Sequence, residues 1–208
     1  MHVTAITTPE TQVEAELIKQ MHRLRADVFG GRLSWKVHCI DGMERDAFDS
    51  LCPTYILAVD AGQRVVGSAR LLPVRGPTML QLIFPRLLER GYLNSHDRMI
   101  ESSRFCIDTG MAKERGPGAL NLATFTMFAG IVEWCCLHGY TDIVTATDVR
   151  FERILRRAGW PLRRLGNVVD IGNVKGVAGV LSADRTRFEC LRPLGYRSSF
   201  AASSKRAA

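Results

Sequence analysis

What this chain of 208 residues lacks narrows its role first. No apolar run approaches the about 18 residues of a membrane-spanning helix, so no membrane span is expected. The opening, MHVTAITTPETQVEAELIKQ, has no basic region followed by an apolar one, which argues against a secretion signal and for a cytoplasmic location. Six cysteines, at 39, 52, 106, 135, 136 and 190, form no CxxC and no paired Cys/His spacing. A structural zinc site and a disulfide framework are therefore not expected, and most of the thiols read as small buried hydrophobes. No repeat and no linker rich in Gly, Pro or Ser divides the chain. A single domain over residues 1–197 is expected, with the small, polar end SSFAASSKRAA (198–208) as a disordered tail. Acidic residues are in the minority, 21 against 28 Lys and Arg, for a formal charge of +7. That excess favours an anionic partner: nucleic acid, a membrane surface, an acidic protein or a phosphorylated ligand. Neither basic clusters interleaved with aromatics nor a helix-turn-helix pattern is present, and no nucleic-acid partner is expected.

What is present reads as alternating elements. Leu17, Ile18, Met21, Leu24 and Val28 recur at helical spacing and predict a first helix over about 12–29. TYILAVD and RVVGSARLL, joined by AGQ, predict a hairpin. FPRLLERG predicts a short helix and MIESSRFCI a long strand. GALNLATFTMFAGIVEWCCLHG predicts a long buried helix stopped at Gly139. DIVTAT predicts a buried strand, VRFERILRRAG an amphipathic helix, and the remainder two strands near 166–182 with a short helix near 184–191. Antiparallel strands followed by strand–helix–strand alternation indicate an α/β fold, a three-layer α/β/α sandwich with a mixed, largely antiparallel sheet.

Several ionic residues sit where this pattern wants apolar ones. Arg25 shares a helix face with Met21 and Phe29. Its stem could cover apolar surface with the head in water, or the guanidinium could turn inward and hold a carboxylate by two hydrogen bonds. The loop MERDAFDS offers Glu44, Asp46 and Asp49, either a solvated acidic turn or, beside Arg25, Arg70 and Arg104, an ion-pair network around a pocket. No spacing supports a metal site there. Glu101 and Arg104 interrupt the strand MIESSRFCI. Three residues apart, they would face opposite sides of a regular strand, whereas a β-bulge near Ser102–Ser103 would change that and leave a backbone N–H unpaired. A carboxylate beside such an N–H suits acyl transfer: one accepts a proton and the other stabilises an oxyanion. Trp35 and Phe29 flank the acidic loop, and aromatic faces attract cations.

Taken in order and spacing, Arg25, Phe29, Trp35, Asp46, Asp49, Arg70, Glu101 and Arg104, with the segments RLRADVF, ERDAFD, ESSRF and LRRAGWP, resemble the LuxI-type acyl-homoserine-lactone synthases. The resemblance runs from about residue 20 to 160. It implies a fold related to the GCN5-type N-acetyltransferases, with a V-shaped opening between two central strands. It also implies two substrates, S-adenosylmethionine and an acyl thioester on acyl-carrier protein or coenzyme A. The products would be an acyl-homoserine lactone and methylthioadenosine. No cofactor is implied, since adenosylmethionine is itself consumed.

Under that resemblance Glu101 is the candidate base, with Asp46 second, and a bulge N–H near Ser103–Arg104 holds the oxyanion. Arg25, Phe29, Trp35, Asp49 and Arg70 would frame adenosylmethionine. Thr145 and Thr147, which alternate onto one strand face, and Met127 on the long helix would meet the acyl chain. Threonines chosen only for β propensity are the plain alternative. Arg150, Arg153 and Arg157 cluster on the helix after DIVTATD, whose apolar face would carry Phe151, Ile154, Leu155 and Ala158. They form either a solvated basic face or the dock for an acidic carrier protein. A coenzyme A-dependent N-acyltransferase acting on another amine is the competing reading, but ERGPGAL sets its glycines out of register with the R/Q-x-x-G-x-G/A loop of that class.

Overall fold

The computed structural model describes residues 1–110 and 117–200. Its elements follow in the order β1 (His2–Ile6), α1 (Gln12–Arg25), a π-helical turn (Ala26–Arg32), β2 (Cys39–Ile40), β3 (Met43–Glu44), a 3-10 turn (Ala47–Ser50), β4 (Thr54–Val59) and β5 (Val65–Pro73). Next come α2 (Met79–Leu82), a 3-10 turn (Pro85–Leu87), β6 (Met99–Ile107), α3 (Pro117–Leu137), β7 (Asp142–Asp148) and α4 (Val149–Arg157). β8 (Arg163–Arg164), β9 (Val169–Ile171), β10 (Val174–Ser182) and α5 (Arg185–Leu191) complete the chain. The fold is mixed α/β, with β1–β4, β7–β10, β8–β10 and β9–β10 antiparallel and β6–β7 parallel. It separates into two compact units, Met1–Arg70 with Arg104–Ile131 and Arg192–Ala208, and Leu71–Ser103 with Val132–Leu191. β5 and β6 each contribute residues to both.

In the first unit, β1 pairs β4 from His2↔Val59 to Ile6↔Tyr55. α1 starts where Thr11 and Glu14 cap each other: the Thr11 hydroxyl accepts from Glu14 N at 3.1 Å and the Glu14 carboxylate from Thr11 N at 3.1 Å. Leu17, Met21 and Leu24 then line one face and pack on Ile6, Tyr55, Leu57, Val59, Val65 and Cys106. Burying each large side chain contributes about 1.5–3 kcal/mol. The α geometry ends at Arg25, short of the predicted residue 29. The next turn widens, closing with Leu33 N to Val28 O at 2.9 Å, because Gly30 and Gly31 weaken the α-helix there. Near the chain end, the first residues of the expected tail, 198–200, are packed on the fold. Ser198 bridges Val3, and Phe200 is buried, since its ring removes apolar surface from water; residues 201–208 lie outside the described residues.

In the second unit, β7 pairs β10 along its whole length, from Asp142↔Ser182 to Asp148↔Gly176. Its parallel pairing with β6 is much shorter, covering Met99↔Asp142, Ile100↔Ile143 and Glu101↔Val144 only. Val74, Leu80, Leu87, Leu88, Leu93, Met99, Val144 and Ala178 form this unit's core. The predicted helix 84–91 shrinks to the 3-10 turn because Glu89 N donates to Leu165 O at 2.9 Å instead of a carbonyl one turn back. α2, β1, β2, β3 and β8 are too short for their periodicity to stand out in the sequence.

Candidate active site

The first unit buries three arginines against three carboxylates. Arg25, fully buried, turns inward from the last turn of α1. Its Nη1 and Nη2 grip Asp49 Oδ1 and Oδ2 at 2.8 and 2.9 Å, and its Nε donates to Glu44 Oε2 at 2.5 Å. Arg70, fully buried on β5, donates through Nη1 to Asp46 Oδ1 at 2.5 Å and Asp49 Oδ1 at 2.9 Å, and through Nη2 to Asp46 Oδ2 at 3.1 Å. Arg104 reaches Glu44 Oε1 through Nε at 3.1 Å and Asp46 Oδ2 through Nη2 at 2.8 Å. Glu44 is placed by the β2–β3 hairpin. Asp46 and Asp49 cap the 3-10 turn between them: Asp46 Oδ1 accepts from Phe48 N, and Asp49 Oδ2 from Asp46 N. The loop is thus a paired network, not a solvated turn.

Aromatic rings cover its cationic edges. Trp35 stacks on Phe29 with centroids 5.2 Å apart, and the Arg104 guanidinium lies 5.4 Å from the centroid of Phe29. Arg70 stands in the same relation to Phe48, at 5.4 Å. The backbone at Arg104 has φ 54°, inside the left-handed region that costs any residue with a Cβ about 1–2 kcal/mol.

The electrostatics follow from burial and pairing. Burial pushes the Asp49 carboxyl up, but hydrogen bonds and charge from Arg25, with the charge of Arg70, outweigh it and hold Asp49 well below the usual carboxylate range. Burial likewise pulls Arg25 down, and Asp49 and Glu44 more than restore it. At Arg104 burial wins over Glu44 and Asp46, and the guanidinium lies below its ordinary value. Burial, and then the Asp49 charge, raise the Tyr55 hydroxyl. Burial and Arg25 lower His22.

Glu101 lies in the second unit and is buried. Its Oε2 accepts from Met79 N at 3.0 Å and its Oε1 from Leu80 N at 2.7 Å, so the carboxylate holds the first turn of α2. Ser103 is half-buried two residues further along β6. Thr145 and Thr147 alternate on β7, opposite Gly179 and Val177 of β10, and are half-buried; Thr145 Oγ1 makes a long 3.4 Å contact with Ala146 O. Met127, in the first unit, is buried against β5: a Cβ at Gly67 would stand 2.9 Å from its Cγ. On α4, Asp148 caps the start, and Arg150, Arg153 and Arg157 are exposed. Ile154, expected on the apolar face, is 46% exposed instead. The buried position goes to Glu152, whose carboxylate takes both Nε and Nη2 of Arg164 at 2.7 Å.

Three residues of the network carried weak signals in the sequence. Glu44 stood out only as one acid of a loop, yet it joins Arg25 to Arg104. His22, on α1, holds the Glu44 carbonyl at 2.8 Å, and Tyr55 donates to Asp49 Oδ1 at 2.8 Å. Both read locally as ordinary members of an amphipathic helix and a buried strand. Among the described residues no helix is long and apolar enough to cross a membrane.

The autoinducer synthase family model matches residues 10–191. An acyl-homoserine-lactone synthase of Rhizobium radiobacter is 57% identical over 97% of this chain and 95% of its own. A solved coenzyme A-dependent acyl-homoserine lactone synthase, BjaI, described with adenosylmethionine and isopentyl-CoA, superposes with a TM-score of 0.81 at 27% identity. The match covers 95% of this chain and 92% of that one. An acyl-CoA N-acyltransferase from Pseudomonas aeruginosa shares the fold at a TM-score of 0.53 and 16% identity, over 86% of this chain and 97% of that one.

Proposed function

The chain belongs to the autoinducer-synthase family and is an acyl-homoserine-lactone synthase, an acyltransferase, and from that premise we propose that its network of three arginines and three carboxylates receives adenosylmethionine at the Asp46–Arg104 end. One observation carries this reading. The side chains of Arg25, Arg70 and Glu44 are 0% exposed, while those of Arg104 and Asp46, an ion pair at 2.8 Å, are 12% and 18% exposed. Three positive and three negative charges balance, so an incoming zwitterion must exchange with an existing pair, and this pair is the most exposed, with Asp49 at 9% behind it. The substrate ammonium would take Asp46 and its carboxylate Arg104, each replacing a partner of equal charge. Phe29 and Trp35 would supply aromatic surface for the sulfonium and the adenine. Arg25, Asp49 and Arg70 hold this end in place from behind.

The ammonium must lose a proton before nitrogen can attack a thioester carbonyl. Glu101, fixed by two backbone donors, is the proposed acceptor, acting through water, with Asp46 second. The N–C bond forms, the C–S bond of the thioester breaks, and the thiol leaves with a proton. The distorted backbone at Ser103–Arg104 would offer its N–H to the oxyanion. Lactone closure is then intramolecular: a carboxylate oxygen displaces the sulfonium, and methylthioadenosine departs. Here the protein need only hold the chain folded. Adenosylmethionine is thus a substrate and no retained cofactor takes part. The acyl chain is assigned to Thr145, Thr147 and Met127, and the donor to an acyl-carrier protein meeting the basic face of α4, with a coenzyme A ester as the alternative. The reaction is assigned to the cytoplasm, a reading supported by the two substrates it would consume.

Two measurements test this. Mass spectrometry of medium from expressing cells should find an acyl-homoserine lactone that an empty vector does not yield. Calorimetry should find adenosylmethionine binding that Asp46→Asn weakens about tenfold or more, the loss expected for a hydrogen-bonded charge. Unaltered binding by Asp46→Asn would move the substrate away from the network.

A further inference from the structure

The exposed end of the network is held from behind by two neutral side chains. Tyr55 is buried on β4, and its hydroxyl donates to Asp49 Oδ1 at 2.8 Å. Asp49 is saturated: besides Tyr55 it accepts from Arg25 Nη1 and Nη2, from Arg70 Nη1 and from the backbone N–H of Asp46. A carboxylate so engaged has no place for a substrate, and its use is to hold Asp46, both by that N–H at 2.8 Å and through the shared Arg70. His22 is buried on α1, with Nδ1 2.8 Å from the carbonyl oxygen of Glu44. A carbonyl only accepts, so Nδ1 carries a proton and donates, and burial beside the Arg25 charge favours the neutral ring. Glu44 in turn holds Arg104 through Oε1. The two rings meet edge to face, 6.1 Å between centroids at 74°.

We propose that His22 and Tyr55 are positioning residues for adenosylmethionine, one acting through Glu44 on Arg104 and the other through Asp49 on Asp46. Each chain of contacts ends on one member of the exposed ion pair, so the separation and direction of the two groups that exchange with the zwitterion are set by this ring pair. Two neutral donors suit the task. A charged residue in either place would upset the balance of three against three, whereas a neutral donor orients a carboxylate or a carbonyl without adding charge. The inference rests on the reading that adenosylmethionine binds at the Asp46–Arg104 end.

The test is steady-state kinetics on the full chain with both substrates varied. Tyr55→Phe removes one hydroxyl. It should raise KM for adenosylmethionine about tenfold, the loss expected for one hydrogen bond to a charged group, with KM for the acyl donor within about twofold. His22→Leu should act in the same direction. His22→Asn, whose amide N–H stands near the place of Nδ1, should restore most of the loss. Asp46→Asn is the control for the underlying reading. If Asp46→Asn raises KM for adenosylmethionine and Tyr55→Phe and His22→Leu do not, the ring pair is structural and the proposal fails alone. A loss that falls equally on both substrates, or that His22→Asn does not restore, overturns it as well. If Asp46→Asn is also silent, the site itself has been misplaced.

Discussion

Arg25 holds Asp49 with two parallel hydrogen bonds, Nη1 to Oδ1 and Nη2 to Oδ2, at 2.8 and 2.9 Å, from a helix 24 residues earlier in the chain. The same guanidinium donates Nε to Glu44, so two of its edges are spent on carboxylates with no water between. Truncation to Arg25→Ala leaves both carboxylates uncompensated in the interior. It should cost about 3–5 kcal/mol of stability in urea unfolding and abolish adenosylmethionine binding. Arg25→Lys should recover little of either, because an ammonium cannot match both edges. Normal melting of Arg25→Ala would show that the network adds nothing to the fold.

Acid should weaken the protein in two steps. His22 is depressed in the folded chain, so its contribution is present above the unfolded value of about 6.5 and is lost as pH falls through the folded one. Asp49 is depressed too; its contribution is whole at neutral pH, begins to fall as pH nears the unfolded carboxylate value of about 4, and disappears through the folded value. Melting curves between pH 3 and 8 should therefore show a shallow decline below about 6.5 and a steeper one near 4. His22→Asn should remove the first and leave the second. A pH profile unchanged by His22→Asn would assign the first step to another group.

Glu101→Gln replaces one acceptor of the α2 amides with a donor. Turnover should drop ~100-fold or more if Glu101 accepts the proton, while KM for adenosylmethionine changes little. The melting temperature should fall modestly as the first turn of α2 loosens. Near-normal turnover with a lowered melting temperature would leave Glu101 as a cap of α2 and nothing more.

Thr145→Val removes a hydroxyl that, among the described residues, makes a long contact to a neighbouring carbonyl. If that hydroxyl reads an oxygen at the third carbon of the acyl chain, the variant should use 3-oxo-acyl donors less well than unsubstituted ones, by about tenfold. An unchanged product profile in mass spectrometry would return Thr145 to a packing role.

Reversing Arg153 and Arg157 to Glu alters an exposed face and should leave folding intact. KM for a carrier-bound donor should rise, more at low salt than at high, because complementary charge steers encounter and is screened. KM for adenosylmethionine should hold. Unmoved carrier kinetics at low salt would point to another docking face or to a coenzyme A ester.

Much of this protein was legible before any coordinates. The strand over Met99–Ile107 and the helix starting at Val149 stand out because local periodicity and caps set them, and both are where the pattern puts them. Arg25, Arg70 and Arg104 were visible as charges in apolar surroundings, which requires partners whatever the fold. Which partners they take was not legible. Glu44 and Arg104 are 60 residues apart, and no local pattern links them. Nor did helical spacing alone show that Ile154 faces water while Glu152 turns in, since that depends on Arg164 arriving from β8. His22 and Tyr55 likewise look like ordinary core positions until their polar atoms find Glu44 and Asp49. Sequence determines which faces are apolar and which charges need pairing, because those follow from a residue and its near neighbours. Pairing itself depends on segments meeting across the fold, and only the tertiary structure decides that.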